Sequence, residues 1–192
     1  MRIAAAVEVL LVSGGIMLYI WRWQFVYPNF ALVLLAFLIA TFFLHRDGFS
    51  ELGFGSRGLF SALKVVAGPT TVFAAFLVII GLITGAFAGW NWTFDKLASL
   101  GRYFSWCLFQ EFGLQSFFTN RLLTIFKRPN AAAWTSAIIF ACFHIPNPVL
   151  IPVTLLGGYV LCRVFIEHRN LIPLAMAQAV VGSMLALILP SG

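Results

Sequence analysis

The stretch "SWCLFQEFGLQSFF", residues 105–118, looks at first like a helix made for lipid. Trp, Leu, Phe and Gly dominate it, and it holds no basic residue. Yet Gln110, Glu111 and Gln115 sit near its middle. A carboxylate and amides are costly in hydrocarbon, so within a membrane such residues face a bundle interior or a wet cavity. Glu111 and Gln115 stand four apart and share a helix face, whereas Gln110 points about 100° away. The stretch therefore predicts an all-α membrane protein with polar groups turned inward.

The rest of the chain agrees. Of its 192 residues, 61% are hydrophobic and 9% charged, and the mean hydropathy is +0.98. A soluble domain carries about 25% charged residues. One membrane domain over residues 1–192 is expected. The net charge of +6 is scattered, and no basic run exceeds Lys127-Arg128. That distribution suits anchoring at membrane lipid, and no nucleic acid is expected as a partner. Cys107, Cys142 and Cys162 lie in apolar runs without CxxC spacing and read as small buried hydrophobes.

A spanning helix needs about 20 apolar residues. Seven runs qualify as candidates, at residues 3–20, 30–44, 65–88, 100–123, 131–144, 151–166 and 171–189. The first is too long for a signal peptide, Glu8 interrupts it, and no A-x-A site follows. Trp21 and Trp23 read as an interfacial belt. Residues 45–64, Gly-rich and mixed in charge, read as an interfacial amphipathic segment. Nine Lys and Arg fall on one side of the spans, Arg121 among them, and three on the other. The count predicts a cytoplasmic N-terminus and an external C-terminus, and the expected location is the inner (plasma) membrane of a bacterium.

Glu8, Glu111 and His144 are the ionisable residues within spans; Arg163 and Glu167 lie near enough to an end to snorkel. At 1.5 Å per residue, Glu111, His144 and Gln178 stand about 15, 20 and 12 Å above the cytoplasmic ends of their helices. Three helices thus carry a polar group at mid-membrane. Interhelical hydrogen bonding alone accounts for some such residues, and it is the expected role of Gln178, as a structural role is of Glu8. Together, however, a carboxylate and a neighbouring amide can hold a water. A nearby imidazole can share its proton or hydrogen-bond an oxyanion.

At these residues the sequence resembles the CPBP family of intramembrane proteases, the CAAX-prenyl-protease and bacteriocin-processing group. Its EExxxR motif corresponds to "QEFGLQ", residues 110–115; its FxxxH motif is intact as "FACFH", residues 140–144; its HxxxN motif corresponds to "QAVVG", residues 178–182. The resemblance runs from about Glu51 to the C-terminus. It implies an endopeptidase cleaving a membrane-embedded peptide, with Glu111 activating water and His144 stabilising the oxyanion or shuttling the proton. Gln110, Gln115, Phe140, Gln178 and Gly182 would support or orient. Gln110 stands in place of the first Glu, Gln115 of the Arg, Gln178 of the second His and Gly182 of the Asn. Members are often labelled metalloproteases, but zinc wants about three protein ligands. Glu111 and His144 are two, so no metal or other cofactor is predicted. The alternative is a non-catalytic scaffold of the same fold that binds a membrane protein or a lipid-like ligand. A transporter or light receptor is the third reading, against which stand the missing Lys in the seventh span and the lack of a broken-helix repeat.

Overall fold

The computed structural model describes residues 1–88, 91 and 93–189; Gly192, on which the external C-terminus was expected, lies outside them. Among the described residues the chain forms seven helical rods in the expected order. The first joins α1 (Arg2–Leu18), a π-helical segment (Tyr19–Trp23) and the short α2 (Gln24–Val26). α3 is Phe30–His45 and α4 is Leu59–Thr84. The fourth rod joins α5 (Phe94–Glu111), a second π-helical segment (Phe112–Thr119) and α6 (Asn120–Phe126). α7 (Pro129–Cys142), α8 (Leu150–His168) and α9 (Ile172–Ile188) complete the bundle. Three stretches, Arg2–Val26, Leu59–Thr84 and Leu150–His168, are long and apolar enough to cross a membrane, and Phe30–His45 and Ile172–Ile188 are shorter apolar helices. The fourth rod falls outside that group because its polar residues and the charges of α5 dilute it.

Helix ends follow local chemistry. α3, α6 and α8 stop at Arg46, Lys127 and Arg169, each with positive φ. A cation there also meets the negative end of the helix dipole. Pro129 and Pro173 start α7 and α9, where a missing N–H costs nothing. Asn147 and Asn170 accept backbone N–H groups at the starts of α8 and α9.

The segment expected to be interfacial and amphipathic divides differently. Residues 46–58 are mostly turns, and from Leu59 the chain is already α4. Gly58 is the reason for that start: its φ is +75°, and a Cβ there would stand 2.0 Å from the His168 carbonyl oxygen. Gly58→Ala should therefore lower stability by about 2–4 kcal/mol, combining left-handed strain with backbone overlap. Thermal unfolding in detergent measures it.

The fourth rod runs through the middle. α5 packs on α9, which also receives α4, while α6 packs on α1 and α7, and α7 on α8. One apolar cluster gathers Phe42, Phe117, Phe118 and Phe140; the other gathers Val66, Phe165, Leu171 and Leu174.

The readings of one charged residue and one cysteine are corrected here. Arg121 is no loop-end anchor: it is 2% exposed. Its Nε donates to Glu8 Oε2 at 2.9 Å and its Nη2 to Asp47 Oδ2 at 2.8 Å and the Thr41 carbonyl at 3.1 Å. Glu8 Oε1 meets His45 Nε2 at 2.8 Å. This buried network ties α1 and the end of α3 to α6, and it shows what Glu8 does in that apolar helix. Cys142 is only half-buried, unlike Cys107 and Cys162.

Candidate functional site

Along the fourth rod, Tyr103, Cys107, Glu111, Gln115 and Thr119 recur every four residues. In an α-helix such a row drifts round the surface. The π-helical turns from Phe112 to Thr119 widen the helix and keep the lower half of the row facing α7 and α8. π-Helical insertions often mark functional positions.

The row is hydrogen-bonded from end to end of its lower half. Gln115 Nε2 donates to Glu111 Oε2 at 2.9 Å. Thr119 Oγ1 lies 3.0 Å from Gln115 Oε1, 3.1 Å from Ser136 Oγ on α7 and 3.4 Å from Cys162 Sγ on α8. Glu111 and Gln115 are fully buried. Cys162 is thus part of a polar cluster as well as the core.

The Thr119–Ser136 bond sets the level of the other motif residues. α6 and α7 form a hairpin, so the two helices run in opposite directions. Eight residues back from Thr119 is Glu111; eight forward from Ser136 is His144. Both therefore lie toward the same end of the hairpin, eight residues from the bond. No hydrogen bond joins them. His144, just past the end of α7, places Nδ1 2.8 Å from the Phe140 carbonyl, with the Phe140 ring edge-on at 4.8 Å between centroids. A carbonyl only accepts, so Nδ1 carries the proton and Nε2 a lone pair.

On the other side of α5 the motifs meet directly. Gln178 Nε2 on α9 donates to Gln110 Oε1 at 2.6 Å. Gln110, read as turned away from the Glu111 face, is therefore the residue of its motif that reaches α9. One turn further, a Cβ on Gly182 would lie 2.1 Å from the Tyr103 hydroxyl. The phenol fills the space a side chain at 182 needs. Gly182→Asn alone should cost about 1–3 kcal/mol through overpacking, and Tyr103→Ala should relieve that cost. Unfolding midpoints of the two single variants and the double variant check it.

Two buried oxygens have no partner among the described residues: Glu111 Oε1 and Gln178 Oε1. Both are acceptors, as is His144 Nε2, so each can take a hydrogen bond from a donor such as water. The donor set does not fit zinc: among the described residues no three His, Cys, Asp or Glu side chains gather to hold a metal. Tyr103, Thr119 and Ser136 were missed by reasoning from sequence; the four-residue spacing in an oily helix was there to be read for the first two, and Ser136 on α7 carries no such signal.

Comparison with curated proteins and with solved structures gives no match. Residues 90–184 match the family described as Rce1-like, type II CAAX prenyl endopeptidase. The matched part holds α5 to α9 up to the last turns, with all three motif segments. Residues 90–184 therefore carry a domain that matches the Rce1-like family of CAAX prenyl endopeptidases.

Proposed function

We propose that the chain is an intramembrane endopeptidase that cleaves a membrane-embedded peptide with water activated by Glu111. The observation that carries this reading is the fully buried Glu111 with an unpartnered acceptor oxygen, Oε1, in a chain whose His144 keeps an open Nε2 lone pair; Gln178 Oε1, across α5, is a second unpartnered acceptor. A water has the two protons that such acceptors need. In the first step the water oxygen bonds to the scissile carbonyl carbon, its proton passes to Glu111 Oε1, and the carbonyl electron pair moves onto oxygen. In the second, that pair re-forms the carbonyl, the C–N bond breaks, and Glu111 returns the proton to the leaving nitrogen. With its proton on Nδ1, His144 suits the orienting or relay role; to donate to an oxyanion it must first gain a proton. The second hydrogen of the Gln178 amide is a donor for that oxygen.

The Gln110–Gln178 bond favours a second reading. Two amides join the motif helices where neither can take a proton at neutral pH, as a non-catalytic scaffold for a membrane protein or lipid-like ligand requires. Incubating the full chain in lipid vesicles with a farnesylated CAAX peptide decides between them. Release of the C-terminal tripeptide, lost in Glu111→Gln, supports the peptidase; no release by the unaltered chain overturns it in favour of the scaffold.

A further inference from the structure

Away from the motif residues, the turns from Glu51 to Gly58 pack against the corner between α8 and α9 and wall a cavity of about 650 Å³. The wall is fixed by side chains of the bundle. Ser116 Oγ donates to the Leu52 carbonyl at 2.6 Å, Asn120 Nδ2 to that of Glu51 at 3.0 Å, and Asn170 Nδ2 to that of Gly55 at 2.6 Å. Three loop carbonyls are thereby tied to the bundle.

The charges lining the cavity are Arg57, His168 and Arg169 against Glu51 and Glu167. Both carboxylates are already engaged: Glu51 Oε2 accepts the Gly48 N–H at 2.9 Å, and Glu167 Oε1 accepts from Arg163 at 2.7 Å. Two of the three cations are not. Among the described residues, Arg57 and His168 side chains make no hydrogen bond or ion pair. Arg169 donates one N–H to Asn120 Oδ1 and lies over the Phe165 ring at 5.1 Å, with no carboxylate at ion-pair distance. Burial pulls its guanidinium below the ordinary range, and the Glu51 charge only partly offsets this. A partly buried guanidinium without a counter-ion is an unfavourable arrangement that a bound anion relieves. The depth is also informative: the apolar span of α4 begins at Leu59 and that of α8 ends at His168. The cavity therefore lies where two spans leave the hydrocarbon, at the level of lipid phosphates.

We propose that this cavity binds a phosphate group through Arg57, His168 and Arg169. Guanidinium forks match phosphate oxygens in pairs, and the histidine adds an N–H. The phosphate is that of a phospholipid headgroup or free phosphate, and the site is independent of whether the motif residues hydrolyse anything.

The full chain in detergent is titrated with phosphatidylglycerol, with a diacylglycerol of the same acyl chains, and with inorganic phosphate, bound species being counted by native mass spectrometry. One phosphatidylglycerol per chain, with no diacylglycerol, is expected. Arg57→Gln removes a side chain that makes no hydrogen bond or ion pair among the described residues, and it should weaken binding by about tenfold, the loss of one charge-assisted hydrogen bond; Arg57→Gln with His168→Gln should weaken it further. Displacement of the lipid by millimolar inorganic phosphate identifies a free-phosphate site, and failure to displace it a lipid site. Equal uptake of the two lipids, no uptake of any phosphate compound, or unchanged binding by the double variant overturns the proposal.

Discussion

Glu111→Gln is expected to abolish release of the tripeptide from a farnesylated CAAX peptide while the protein stays folded. Gln keeps the size of Glu and can still accept from Gln115 Nε2, the one hydrogen bond Glu111 makes among the described residues. What it loses is the ability to take a proton. Loss of a general base is worth about 10²–10⁴ in rate, so kcat should fall by that factor with the unfolding midpoint near that of the unaltered chain. Should cleavage persist at full rate, Glu111 is not the base, and the water-activating reading fails. A rise in stability without change in activity would instead mark Glu111 as a buried acid held only by packing. The Gln110 position makes this test sharp: the amide that faces α9 cannot substitute as a base, so no second carboxylate of the motif hides the loss.

Arg121→Leu is expected to have the largest effect on stability of any single change outside the motifs. It leaves Glu8 and Asp47 with acceptor oxygens and no guanidinium, in a part of the bundle where Glu8 is 6% exposed. Breaking a buried ion pair from one side costs about 3–5 kcal/mol. The first rod and the end of α3 should loosen from α6, read as a lower unfolding midpoint and earlier proteolysis of the N-terminal hairpin. Arg121→Leu combined with Glu8→Leu and Asp47→Leu should recover much of the loss, because no uncompensated charge remains. An Arg121→Leu variant as stable as the unaltered protein would show that the network contributes nothing.

The sequence by itself determined the class, the seven rods in order and the motif segments that identify the family. Each rests on local information: apolar run length, motif spacing, and polar residues placed along one helix. The same information put Gln110 on a different face from Glu111. Only the tertiary structure decided who meets whom. Glu8 finds Arg121 at a separation of 113 residues, and Gln110 finds Gln178 at 68. Tyr103 takes the room of a side chain at Gly182, and Arg121 leaves the surface count for the core. A helix pattern specifies which face turns inward, but pairing depends on the level and rotation at which rods pack. The π-helical turns from Phe112 to Thr119 shift that rotation by an amount no periodicity of apolar residues records. In a low-dielectric interior the cost of an unpaired polar group is high, so packing settles on the arrangement that pairs the most of them, and that choice belongs to the whole bundle.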